Sequence, residues 1–403
     1  MEKFKDMSIN YPRGSEWRKW DLHVHTPASI VYNYRTSDAI DVWELFIQNL
    51  ESLPSEIKVL GINDYLFIDG YRKVLKYKCS GRLKNIELVL PVIEFRLAQF
   101  GGHSIFKRIN FHVIFSNEIN PDVIQNQFLN GLTTHYKVNS EYNGIVWGGV
   151  NTRENLTVLG KQIKSSVPQE KLPDFDSDLI EGFNNLNLSY DKIMGVLKNG
   201  DQYFRNKFIT AIGKTEWDAI NWTDGSIADK KRIINEVDIV FTAAETNEKF
   251  FASQKKLSDS NVNCKLLDCS DAHHNIDSTN KDRIGNCNTW IKADPTFEGL
   301  KQVLYEYEER VRVQDINPDL NFEKALFTEI QFSRNVDVFN DEMDNVTFKE
   351  CTIPLNNNLI SIIGGRGTGK SILIDYKYVI RISLYYFFSL LCKLERYKIN
   401  TIN

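Results

Sequence analysis

The sequence predicts an α/β fold: a parallel sheet or barrel, followed by a smaller segment of consecutive short strands. Three observations carry this expectation. Apolar or alternating runs of strand length are separated by helical stretches over about 300 residues, the signature of βα units. Imidazoles and carboxylates gather at the ends of those runs. Past Arg312 the alternation stops, and strand-like runs follow one another into a glycine loop.

Taken in order, "WDLHVH" (20–25) alternates, so Asp21, His23 and His25 project from one face and Trp20, Leu22 and Val24 from the other. Residues 37–49 read as a capped helix, "VLGIND" (59–64) as a strand and Asp69–Tyr77 as a helix. "LVLPVIEFRL" (88–97) and "INFHVIFS" (109–116) are strands. Residues 118–205 are polar and less regular, as expected of an insertion with its own helices. "FITAIGK" (208–214), "VDIVFTAA" (237–244) and "KLLDCSD" (265–271) complete the strand set. A helix fits Thr296–Glu309, where Phe297, Leu300, Val303 and Leu304 form an apolar stripe.

The first domain is placed at 1–312, a linker at 313–322 and a second domain at 323–403. In the second domain, "ALFTEIQFSRNVDVF", "VTFKECTIPL" and "NLISII" read as strands. The apolar stretch Tyr378–Cys392 is short for a membrane span and carries Arg381, so a buried helix is expected there.

Composition excludes little. The 403 residues are 42% hydrophobic and 25% charged with a net charge of −4, so no global basic field argues for nucleic acid. The start, MEKFKDMSIN, lacks the apolar core of a secretory signal. Six cysteines without a CxxC pair suit free thiols in a reducing compartment. A cytoplasmic protein without a membrane anchor is the expectation.

Barrel strands deliver functional side chains at their C-terminal ends. There the chain places His23 and His25, then Asp64 in "GINDY", Glu94 in "PVIEF", His112 in "FHVIF", and Asp271 and His273 in "CSDAHH". Imidazole nitrogens and carboxylate oxygens converging from different strands are the ligands that Zn, Mn or Fe ions take, and carboxylates can bridge two of them. Ions so held clamp a phosphate and activate a water. Asp21, lower on the first strand, is placed to orient a ligand histidine. His23, His25, Asp271 and His273 are the residues expected to carry catalysis.

These motifs, in this order, resemble those of the PHP (polymerase and histidinol phosphatase) family. The downstream "RIGNCNTWIKADPTFEGLKQVL", followed by a phosphate loop, resembles the narrower TrlF-type fusions of a PHP domain to an ATPase. The resemblance implies a distorted seven-stranded (βα) barrel with two or three metal ions, acting as a phosphoesterase or nuclease. The chain departs from the family pattern in two places. It has Asp64-Tyr65 where members have Asp-His, and "AIGKTEW", with Lys214 and Glu216, where a later His-Pro is usual. The alternatives are fewer ions, recruitment of Tyr65 or Glu216, or a catalytically weak site.

The second constellation is "GGRGTGKS", which matches G-x-x-x-x-G-K-[ST]. Backbone amides of a loop containing Gly364, Gly367 and Gly369 would cradle the phosphates of ATP. Lys370 would reach the β/γ oxygens and Ser371 would ligate Mg²⁺. The preceding strands resemble the opening of an ABC or SMC-type ATPase head. Only 32 residues follow Ser371, too few for a second acidic strand and the rest of the sheet. The tail reads as biased translation after a truncation or frameshift, as expected of an N-terminal portion of a longer PHP–ATPase, whose nucleotide site is incomplete unless a partner supplies the rest.

The function expected from all this is a metal-dependent phosphoesterase, more narrowly a nuclease on DNA or tRNA, coupled to an ATP-binding domain. Family analogy places it in DNA repair or anti-phage defence. Two alternatives stand beside it: a small-molecule phosphatase similar to histidinol phosphatases, and a degenerate barrel that works as a nucleotide-regulated binding module. Homo-oligomerisation is open.

Overall fold

The computed structural model describes residues 13–35, 40–101, 107–138, 146–213, 227–321, 326–332, 335–337, 347–358, 360–366, 370–375 and 380–385. Lys214, Glu216, Gly367 and Gly369 lie outside them. The chain divides into two compact units, one formed by Arg18–Ile291 and Pro295–Asp315, the other by Met1–Trp17, Lys292–Asp294 and Ile316–Asn403.

The larger unit is an α/β structure around one sheet. Its strands are β1 (Trp17–Val24), β2 (Ile57–Tyr65), β3 (Leu88–Gly101), β4 (Lys107–Phe115), β5 (Phe208–Gly213), β6 (Ile239–Thr242), β7 (Leu266–Asp268), β8 (Thr289–Lys292) and β9 (Val311–Val313). They lie in the order β7-β6-β5-β4-β3-β2-β1-β8-β9. Among the described residues this sheet therefore has nine strands where seven were expected, because the chain returns from β7 to add an antiparallel pair, β8 and β9. The expectation of a parallel sheet or barrel also needs correction. β4 runs antiparallel to both β3 and β5, while β1–β2–β3 and β5–β6–β7 are parallel.

The sheet curls until the segment after β7 meets β1. The Ala272 amide donates to the His23 carbonyl at 3.1 Å, and the His25 amide donates to the Ala272 carbonyl at 3.0 Å. This parallel bridge between Val24 and Ala272 closes the ring at the site end. Gly61 permits the β1–β2 approach, since a Cβ there would stand 2.4 Å from the Leu22 carbonyl oxygen.

Helices flank the strands: α1 (Val42–Glu51), α2 (Asp69–Cys79), α3 (Arg153–Lys164), α4 (Asp178–Asn185), α5 (Tyr190–Asn199), α6 (Ile227–Glu236), α7 (Asn247–Asp259) and α8 (Phe297–Tyr305). Side-chain caps set many of their starts. Thr152, Ser177, Ser189, Thr246 and Thr296 each accept a backbone N–H of the first turn. The helix expected to run on to Glu309 ends at Tyr305 and resumes as a single turn over Tyr307–Arg310. Between β4 and β5, α3, α4 and α5 build the insertion around buried Phe128, Tyr136, Leu156 and Phe183. There α3 and α4 cross in near backbone contact, because a Cβ on Gly182 would lie 1.9 Å from the Leu156 carbonyl.

In the smaller unit, β10 (Leu326–Phe332) pairs antiparallel with both β13 (Cys351–Pro354) and β14 (Ile380–Tyr385), and β11 (Val336–Asp337) pairs with β12 (Thr347–Phe348). Two expectations fail here. "NLISII" forms no strand among its described residues, and Ile360, Ile362 and Ile363 are 42%, 41% and 92% exposed. A phosphate-loop strand is stable only when buried between neighbours in a parallel sheet, and this small antiparallel sheet supplies none. Residues 380–385, expected in a helix, are strand β14, which pairs with β10. Lys370–Asp375 forms a short helix, α9. Among the described residues no helix is long and apolar enough to cross a membrane.

Candidate metal centre

The alternation of β1 places its polar residues as the sequence implies. Trp20, Leu22 and Val24 are buried on one side, and Asp21, His23 and His25 on the other. β3 and β4 bring Glu94 and His112 directly opposite each other, and β2 sets Tyr65 beside Glu94. His112 thus reaches the site by antiparallel register rather than from a strand C-terminus. The bridge at Ala272 holds Asp271 and His273 on either side of the closure. Asp271 adopts φ 52°, a left-handed conformation uncommon outside glycine and found where a local constraint fixes the backbone.

Five side chains converge. His23 Nε2 lies 3.1 Å from His25 Nε2, 3.2 Å from Glu94 Oε2 and 3.1 Å from Asp271 Oδ1. Glu94 Oε2 also lies 3.4 Å from His25 Nε2 and 3.3 Å from His112 Nε2. Two groups of potential ligand atoms result, His23–Glu94–His112 and His23–His25–Asp271, each with all atoms within 4.8 Å of one another. They share His23. All are buried except Asp271, whose side chain is 44% exposed and marks the open side.

The protonation pattern shows what this arrangement demands. Burial disfavours the His23 cation, yet Asp271, Glu94 and Asp21 outweigh it and push its pKa up to about 9. His25 is driven the other way, down to about 3, by burial and by the neighbouring imidazoles of His273 and His23. Burial would raise Glu94 and Asp271, but the imidazoles around them pull both below the usual carboxylate range. One imidazolium thus stands at the point where several lone pairs meet. A divalent cation satisfies the same lone pairs with more charge. Among the described residues, Glu94 Oε1 and His112 Nδ1 are buried with no hydrogen-bond partner, which fits a donor set built for metal ions.

The remaining predicted residues are arranged around this cluster. His273 Nδ1 sits 2.8 Å from the Asp271 carbonyl oxygen and 3.8 Å from Asp282 Oδ2, and its ring is 4.1 Å from that of His25. Asp64 is not in either ligand group. Its Oδ1 accepts the Thr26 amide at 2.9 Å and its Oδ2 the Thr26 hydroxyl at 2.8 Å, which pins the turn that follows His25. The reason is strand parity: side chains alternate, so Asn63 and Tyr65 face the cluster and Asp64 faces away. Asp21 is buried, its pKa raised chiefly by desolvation; its Oδ1 accepts the Ser270 amide at 3.0 Å and so ties the seam to β1.

Several neighbours escaped the sequence pattern. Asn63 Nδ2 donates to Glu94 Oε2 at 2.7 Å, Ser29 Oγ sits 3.1 Å from His25 Nδ1, and Asp282 Oδ1 is 3.1 Å from His274 Nδ1. Parity along "GINDY" would have revealed Asn63. The other two depend on loops folding back, which no local pattern reports. From the insertion, Phe183 packs on Tyr65 with ring centroids 4.8 Å apart, and Tyr65 stacks on His25 at 4.7 Å. Arg153 lies over Phe67 and donates to the Ala28 carbonyl. Arg96 lies over Phe183, 4.2 Å from its centroid.

In the smaller unit, Lys370 Nζ donates to the carbonyls of Gly364 and Gly365, both at 2.6 Å, and Ser371 is exposed. The lysine is folded onto its own loop.

No family model and no curated protein matches this chain. Among solved structures it is similar to the crystal structure of a Bifidobacterium adolescentis protein provisionally assigned as a metal-dependent phosphoesterase. That similarity has a TM-score of 0.36 and 11% identity, and it covers 72% of this chain and 96% of the other.

Proposed function

We propose that the larger unit is a metal-dependent phosphoesterase. The observation that carries this reading is the pair of ligand groups sharing His23, with Glu94 Oε2 in reach of three imidazoles. Adjacent divalent ions in such a set supply a Lewis acid for phosphate oxygens and a water of lowered pKa. His23, His25, Glu94, His112 and Asp271 would hold them. Asp271 and His273 border the open side and would meet the substrate first. The insertion, through Phe183 on Tyr65, keeps water from the opposite side of the His25 ring.

The narrower reading is a nuclease acting on DNA or tRNA. A phosphatase of small esters is the second reading, favoured by the closure that the insertion gives one side of the site. The smaller unit, in this proposal, binds ATP with Mg²⁺ once a partner or a further segment completes its sheet.

Elemental analysis of the purified chain, paired with Mn²⁺-dependent hydrolysis of bis(p-nitrophenyl) phosphate, tests the reading. Two or more ions per chain are expected, with hydrolysis abolished in the His23→Ala, His25→Ala double variant. Less than one ion and no variant-sensitive hydrolysis would leave the barrel a binding scaffold. A strong preference for p-nitrophenyl phosphate over the diester and over single-stranded DNA would sink the nuclease reading.

A further inference from the structure

We infer that Asn63 is a metal ligand of this site through its amide oxygen, a role its sequence position disguises because Asp64 stands next to it. The inference rests on the proposed metal centre and names one more member of the donor set. Asn63 is fully buried, and its Oδ1 has no hydrogen-bond partner among the described residues, an expensive condition for an amide oxygen in the interior. Its Nδ2 points into the cluster, donating to Glu94 Oε2 at 2.7 Å and lying 3.4 Å from His25 Nε2.

That orientation suits the cation-free site, where the amide N–H₂ is a donor among lone pairs. A divalent ion reverses the requirement. Glu94 and His25 then direct their lone pairs at the ion, and an N–H₂ aimed at the same point is repelled. The two ends of an amide are nearly isosteric, so rotation about the terminal torsion exchanges them without displacing a neighbour. The exchange brings the orphaned Oδ1 toward the ion, and carbonyl oxygens are suitable ligands for Mn²⁺ and other hard cations. Neutral Asn63 would add a ligand without adding charge beside Glu94 and Asp271.

The two possible roles of Asn63, ligand or donor to Glu94, respond oppositely to one substitution. In Asn63→Asp, a carboxylate oxygen replaces the amide. If Asn63 is a ligand, the metal-stripped full chain binds Mn²⁺ at least about tenfold tighter than wild type in calorimetric titration. If Asn63 only donates to Glu94, the variant sets two carboxylates about 3 Å apart without compensation, and Mn²⁺ binding weakens. Weaker binding overturns the inference.

Asn63→Ala loaded with Co²⁺ is the companion measurement, since it removes the amide without adding charge. A changed d–d absorption spectrum, with Mn²⁺ affinity lowered, supports ligation; a spectrum superimposable on wild type overturns it. This second variant also decides the matter if Asn63→Asp fails to fold without metal. Wild type is titrated first: absence of any Mn²⁺ or Co²⁺ binding there refutes the metal centre itself, whereas binding in wild type with either adverse variant result refutes only the role of Asn63.

Discussion

Gly70→Ala tests the contact that holds the turn after His25. Gly70 is the second residue of α2, where alanine would ordinarily stabilise the helix by about 1 kcal/mol. Here a Cβ would stand 1.8 Å from Asp64 Oδ2 and 2.2 Å from Thr26 Oγ1, so the Asp64–Thr26 pair must separate. Two hydrogen bonds to a buried carboxylate are lost, each worth about 1.5–3 kcal/mol, and the helix gain offsets only part of this. The net expectation is a loss of about 2–5 kcal/mol in unfolding free energy. Urea unfolding at neutral pH, followed by circular dichroism, measures it. Because Thr26 follows His25 directly, Mn²⁺ affinity should fall as well. A variant as stable as wild type would refute the argument, since it would mean that the Asp64–Thr26 pair can separate without cost.

Two further predictions concern the same carboxyl and the second unit. Burial raises the Asp64 pKa from the usual 3.8 to about 6, so between those values the folded chain holds a proton that the unfolded chain has released. Stability from this group therefore falls as pH rises through that window, by about 3 kcal/mol in all, and Asp64→Asn should flatten that part of the curve. An unchanged slope in urea titrations from pH 4 to 7 would locate the proton elsewhere. For the phosphate loop, fluorescent ATP-analogue binding is expected to require Lys370, whose ammonium must leave the Gly364 and Gly365 carbonyls for the phosphates. Equal binding by wild type and Lys370→Ala would remove the nucleotide proposal.

Much of the candidate centre was legible in the chain itself. The alternation in "WDLHVH" is a local property of extended backbone, so the common face of Asp21, His23 and His25 needed no tertiary information. Glu94, His112 and Asp271 were each visible as a metal-binding residue type in a strand-like run. At "GINDY" the residue type pointed to Asp64, whose carboxylate accepts from Thr26, while parity turns Asn63 and Tyr65 toward the cluster. Periodicity decides which way a side chain faces, and residue type decides only what it can do once there.

What the sequence by itself determined is therefore the inventory of strands and of ligand-bearing faces, because both follow from short-range backbone geometry. The tertiary structure alone decided the antiparallel course of β4, which pairs His112 with Glu94, and the return of the chain as β8 and β9. It also decided the closure at Ala272 that brings Asp271 to within 3.1 Å of His23, from 248 residues away in the chain. Pairings between distant segments depend on which edges meet when the sheet curls, and no window of sequence contains that information. The same holds for "NLISII" in the smaller unit: Ile360, Ile362 and Ile363 remain exposed because a strand needs neighbours, and neighbours are a tertiary property.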